Sequence, residues 1–206
     1  MIIGLTGGIG CGKSEVARIL RERGLKVISA DDIVHELLRE AWVKAKLREL
    51  FGDCIFDDRG EVNRKSLAGI VFKDDSKLSS LNSLLHPLVR ERIKVEIERA
   101  RKANDDLVVE IPLLFEAGGA YDVDLVVVVT ASLDVVVERL RKSRGWSEEE
   151  IRDRMSKQLP LEEKERLADY VIYNDGDLKE LERKVDLLLS KLKLRSKEDD
   201  HSDDRC

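Results

Sequence analysis

The chain has 206 residues, 42% hydrophobic and 38% charged, with a net charge of −5 at pH 7. That length suits one domain, or one domain carrying an inserted subdomain, with enough apolar residues for a buried core. The charge balance argues against a broad nucleic-acid surface, no apolar run reaches roughly 18 residues, and three widely spaced cysteines imply neither a disulfide framework nor a metal pair. A cytoplasmic protein with no leader and no membrane segment is expected.

In chain order, "MIIGLT" (1–6) predicts a short buried strand. From Lys13 to Arg23 the residues Val16, Ala17, Ile19 and Leu20 recur at helical spacing, and Gly24 ends that helix. "KVIS" (26–29) predicts a second strand, and Asp31 and Asp32 stand where the next helix begins. Strand, glycine loop, helix, strand is a βαβ start and predicts a parallel sheet. From about 39 to 104 the pattern turns helical, which predicts a helical insertion, with Pro87 kinking or restarting a helix. The β-branched runs 107–115 and 123–130 predict strands buried on both faces. Helices are expected at about 132–143, 147–157 and 161–168, then a last strand at 170–174 and a closing helix through Leu192. The fold class expected is α/β, with a central mostly parallel sheet and flanking helices. Its core is 1–38 and 105–194, its insertion 39–104 and its lid about 138–160. A disordered acidic tail follows at 195–206, where the last ten residues hold five acids and two bases.

The first turn carries chemistry. Gly7-Gly8-Ile9-Gly10-Cys11-Gly12-Lys13-Ser14 fits G-x-x-x-x-G-K-[ST] and lies between a predicted strand and helix. A chance match in a chain this long is on the order of one in a hundred. Glycines let successive N–H groups turn inward on a phosphate, and the helix start adds its positive end. Lys13 can reach the β- and γ-phosphates, and Ser14 can ligate Mg²⁺. The N–H-bearing positions Gly8, Gly10, Cys11, Gly12, Lys13, Ser14 and Glu15 are the ATP-binding candidates. The motif makes the expected α/β fold a P-loop NTPase fold; it says nucleoside triphosphate and does not name an acceptor. A guanine-type N-K-x-D motif is absent from the sequence.

Asp31 directly follows the second strand, at the edge where ligands bind in doubly wound sheets. It is either a base and Mg²⁺-positioning group or a helix N-cap. Arg139, Arg141, Lys142 and Arg144 precede a glycine break. They suit either a charge-neutralising lid or a solvated helix face.

"GLTGGIGCGKS", "VISADDI", "LLHPLVR", "EIPLLFEAG", "DLVVVVT" and "LADYVIYNDG" come in an order and spacing that resembles dephospho-CoA kinases, from residue 1 to about 178. The resemblance implies transfer of the γ-phosphate of ATP to the ribose 3′-hydroxyl of dephospho-CoA, the last step of coenzyme A synthesis. It implies ATP and Mg²⁺ as donor and metal. It further implies Lys13, Asp31 and Arg139 as catalytic residues, with Asp31 the general base. Arg144, Asn174 and Gly176 join the ATP site. Asp31, His86, Arg90, Leu114 and Glu116 serve the acceptor. His86 has a structural alternative at the Pro87 kink, as does Glu116 in its loop, and Asn174 suits a turn. The chain departs from the family pattern at Ser29, where the first acid of D-A-D is expected, at Glu15, and at Ser143, beside Arg144, where a lid arginine aligns. The alternatives are a kinase for another small hydroxylic or nucleotide acceptor, and a regulatory P-loop module. No nucleic-acid or membrane partner is expected, and the chain is expected to be a monomer or weak oligomer.

Overall fold

The computed structural model describes residues 1–116 and 121–192. The expected acidic tail, and positions 117 and 118 of the "EIPLLFEAG" motif, lie outside the described residues. The chain divides into two compact units, one formed by Met1–Ser29 with Glu96 onward, the other by Ala30–Val95.

The first unit is built on a five-stranded sheet of order β2-β3-β1-β4-β5. Its strands are β1 (Ile2–Gly7), β2 (Lys26–Ser29), β3 (Leu107–Glu110), β4 (Leu125–Thr130) and β5 (Tyr170–Tyr173). Every pairing is parallel. β1 and β3 are buried at every residue, which is why they appear as unbroken apolar runs and not as alternating ones. β3 is shorter than the run 107–115 predicts. Pro112 has no N–H to give to a ladder, and the chain turns from there through Glu116.

Helix α1 (Lys13–Glu22) buries Val16, Ala17, Ile19 and Leu20 in the core of this unit. The closing helix, called α9 below (Leu178–Leu192), adds Leu181, Val185 and Leu188 to the same core. Arg23, just past α1, holds α9 by a two-pronged pair to Asp186 at 2.8 and 3.1 Å.

The second unit begins with α2 (Ala30–Leu37), α3 (Ala41–Phe51) and α4 (Arg64–Val71). Val43 and Leu47 of α3, Leu67 and Val71 of α4, and Ile55 in a short 3₁₀ turn are buried. Asn63 caps α4, its side-chain oxygen accepting the Lys65 and Ser66 N–H groups at 3.1 Å. Helix α5 (Asp75–Ala103), whose residues from Glu96 on belong to the first unit, continues through Pro87 without the restart that is one of the two expectations there. Leu85, Val89, Ile93, Ile97 and Ala100 are buried at helical spacing along it. That packing holds the helix together despite the missing proline N–H.

Back in the first unit, α6 (Leu133–Arg144) ends on Gly145 in the left-handed conformation, φ 68°. α7 (Glu148–Ser156) starts with a full capping box between Ser147 and Glu150. α8 (Leu161–Arg166) follows Pro160. Among the described residues no helix is long and apolar enough to cross a membrane.

Candidate active site

The loop after β1 ends in Gly12, φ 95° and ψ 25°, which is the N-cap of α1. No side chain caps this helix start, so the positive end of its dipole faces the loop, where it favours an anion. Lys13 Nζ donates to the carbonyls of Gly7 and Gly8 at 3.1 and 3.0 Å, which places the ammonium over the loop. Cys11 is buried in the loop, and burial pushes its thiol pKa up against the lowering influence of Lys13. It therefore stays a neutral filler and not a reactive thiolate. The Glu15 side chain pairs with Arg18 at 2.5 Å. Its backbone N–H donates to Gly12 O at 3.1 Å.

Asn174 follows β5. Its N–H donates to Thr130 O at 2.8 Å, which seats it beside the end of β4. Its side-chain amide then donates to Cys11 O at 2.9 Å, and the residue is 5% exposed. Asn174 thus props the phosphate loop from behind.

Ser14 Oγ donates to Glu110 Oε1 at 3.1 Å. Glu110 ends β3, is buried, and stands in register with Leu5 of β1 and Ser29 of β2. Sequence reasoning missed Glu110. The signal was an acid closing an apolar strand just before Pro112, but nothing local says that this strand lies beside β1. A hydroxyl and a carboxylate oxygen side by side fit Mg²⁺, which takes few protein ligands and completes its shell with phosphate oxygens and water. No cluster of three or more acidic, His or Cys side chains suited to a metal exists among the described residues.

Arg139 projects from α6 toward the loop after β5. Its Nη2 lies 3.4 Å from Asn174 Oδ1 and 3.5 Å from Gly176 O, long contacts for hydrogen bonds. Its Nη1 is buried without a hydrogen-bond partner among the described residues. A guanidinium donor in that condition can take an incoming acceptor atom. Arg144 is exposed at the end of α6.

Leu114 is 2% exposed and lies against Gly4 of β1. It shapes its loop from within and presents no free side-chain surface. Glu116 Oε1 forms an ion pair with the Lys164 ammonium at 2.7 Å and accepts the Leu159 N–H at 2.9 Å. Burial pushes the Glu116 carboxyl up, but the Lys164 ammonium and the N–H donors outweigh it and hold the pKa below its ordinary value.

In the second unit, Asp31 is exposed in the first turn of α2. His86 and Arg90 are exposed on one face of α5, along a groove shared with Leu78, Ser79 and Asn82. The fold thus gathers the phosphate loop, Glu110, Arg139, Asn174 and Gly176 in the first unit, while Asp31, His86 and Arg90 belong to the second.

A doubly wound parallel sheet, a glycine loop opening a helix, and a hydroxyl paired with a buried strand-end acid define a P-loop kinase. The shikimate kinase of Acinetobacter baumannii shares this fold, at a TM-score of 0.53 and 18% identity over 94% of this chain and 95% of its own. The family model for dephospho-CoA kinase matches residues 1–180. A dephospho-CoA kinase of Streptomyces avermitilis is 44% identical over 184 residues, 89% of each chain. One of Aquifex aeolicus is 41% identical over 184 residues, 89% of this chain and 93% of its own. Among solved structures, the dephospho-CoA kinase of Campylobacter jejuni matches with a TM-score of 0.69 and 26% identity over 93% of this chain and 96% of its own. The chain belongs to the dephospho-CoA kinase family.

Proposed function

We propose that this protein transfers the γ-phosphate of ATP to the ribose 3′-hydroxyl of dephospho-CoA, giving coenzyme A and ADP. The Ser14–Glu110 pair at the foot of the phosphate loop carries the reading, because it adds a metal-binding pair of oxygens to a triphosphate cradle. Lys13 and the loop N–H groups hold the β- and γ-phosphates. Ser14 and Glu110 would hold Mg²⁺, which would supply charge neutralisation on the phosphate oxygens. Arg139 offers its unpartnered Nη1 to the nucleotide or to the transferring group, and Arg144 adds positive charge from the lid. Asn174 acts through the loop it props, and Gly176 lines the same side.

Asp31 takes the proton of the 3′-hydroxyl as that oxygen attacks phosphorus. The bond from phosphorus to the β–γ bridging oxygen breaks, and ADP leaves. His86 and Arg90 are the acceptor-binding residues of α5. The reaction is assigned to the cytoplasm, with a monomer or weak oligomer as the working unit.

A coupled assay tests this reading. ADP release should rise on adding dephospho-CoA, and the product should carry a 3′-phosphate. Stimulation by a nucleoside monophosphate but not by dephospho-CoA would refute the assignment, and nucleotide hydrolysis without any phosphorylated product would place the chain among regulatory P-loop modules.

A further inference from the structure

The connection between α7 and α8 holds two loops at once. Gln158 Oε1 accepts the Ile9 N–H of the phosphate loop at 3.1 Å. One residue on, the Leu159 N–H donates to Glu116 Oε1 at 2.9 Å. Pro160, which has no N–H to satisfy, leads into α8. Leu161 then lies so close to Gly8 that a Cβ added there would meet its Cδ2 at 2.8 Å. Within α8, the Lys164 ammonium reaches the same Glu116 oxygen at 2.7 Å. The Lys164 side chain is fully buried, whereas that of Glu116 is 20% exposed. A buried ammonium is tolerated only beside its counter-charge. Lys164 therefore seats α8 only where Glu116 stands.

The sheet does not need this arrangement, since its core is apolar. The arrangement instead fixes the end of the lid hairpin to the rim of the phosphate loop and to the loop after β3. With its N–H held by Gln158, the Ile9 peptide is set in one orientation, and so is the start of the curl that follows through Gly10 to Gly12.

We propose that Gln158, Glu116 and Lys164 are positioning residues for the phosphoryl donor. They latch the lid base onto the phosphate loop, so that the loop N–H groups are oriented before ATP arrives. None of them takes part in bond making. The proposal rests on the loop being the ATP site.

The test measures ATP affinity by calorimetry on the full chain without acceptor, together with melting temperature and the KM for each substrate. Gln158→Ala should weaken ATP binding about tenfold, on the order of one lost hydrogen bond's worth of orientation. It should leave the KM for dephospho-CoA unchanged. Gln158→Asn, whose shorter amide cannot span to Ile9, should behave alike. Glu116→Gln with Lys164→Met removes the buried charge and its partner together. It should show a similar loss, and adding Gln158→Ala to it should cost little more, because all three act through one latch. Wild-type ATP affinity in Gln158→Ala, or equal rises in both KM values, overturns the proposal. So does a triple variant whose loss is the full product of the separate losses. Should the charge-removed variant fail to fold, the Gln158 variants alone decide. Failure of the functional reading shows separately, as a wild-type chain that binds ATP yet does not turn over dephospho-CoA.

Discussion

Gly12→Ala probes how the phosphate loop is held. The substitution asks alanine to adopt φ 95°, which costs roughly 1–2 kcal/mol for a residue with a Cβ in the left-handed region. The new Cβ would also overlap Asn174 Nδ2. Asn174 is 5% exposed and has little room to retreat, so its 2.9 Å bond to Cys11 O is lost and buried polar atoms go unpaired. That costs about 1–3 kcal/mol more. The sum is about 2–5 kcal/mol, or on the order of 4–20 °C in melting temperature for a chain of this size. Asn174→Ala alone loses the hydrogen bond but not the backbone conformation, and should cost about 1–3 kcal/mol. The two changes share one contact. The double variant should therefore lose about 2–5 kcal/mol, less than the two single losses added, with a coupling of about 1–3 kcal/mol. Thermal and urea unfolding of wild type, both single variants and the double variant measure this directly. Additivity within about 0.5 kcal/mol would show that Asn174 does not support the loop at Gly12, and the reasoning would be wrong.

Other outcomes follow from the same geometry. Lys13→Ala removes the ammonium nearest the loop carbonyls and should lower kcat by about 10²–10³, measured at saturating ATP. Asp31→Asn should lower turnover far more than nucleotide affinity, and unchanged turnover would strip Asp31 of the base role. Glu110→Gln keeps a hydrogen-bond acceptor for Ser14 but removes the charge, so the Mg²⁺ concentration for half-maximal activity should rise several-fold while the fold persists. A change in ATP affinity without metal present would count against that reading. The fold also holds the Glu116 and Asp175 carboxyls below their ordinary pKa values. For Glu116 the Lys164 pair and N–H donors overcome the upward push of burial, and for Asp175 the Ser132 N–H leads. The unfolded chain thus binds more protons as pH falls below about 4.5. Stability from these groups is complete above that pH and is lost as pH drops toward the folded-state values. Melting temperature should fall on the acid side, and Glu116→Gln should flatten that slope while lowering the plateau.

Local pattern carried much of this fold into the sequence. β1, the glycine loop and α1 are contiguous, so one stretch of chain specifies the strand, the turn and the helix start together. β4, β5 and α9 lie close to the ranges their apolar patterns predict, because burial there follows directly from composition. Patterns misled where a backbone N–H decided the outcome against side-chain hydrophobicity. The apolar run after Leu107 continues past Glu110, yet the strand stops because Pro112 cannot join the ladder. Pro87 signals a kink or a restart, yet the helix does not restart there: α5 continues because its buried face outweighs the lost bond.

The sequence alone determined the triphosphate cradle, since glycines, Lys13 and Ser14 act within a few residues of one another. Tertiary structure alone decided what surrounds it. Ser14 meets Glu110 across 96 residues, Gln158 meets Ile9 across 149, and Asn174 meets Cys11 across 163. Each contact depends on parallel strand order, which brings the carboxyl ends of β1, β3, β4 and β5 to one edge of the sheet. That order is a property of the whole packed sheet. No periodicity along a single segment encodes it.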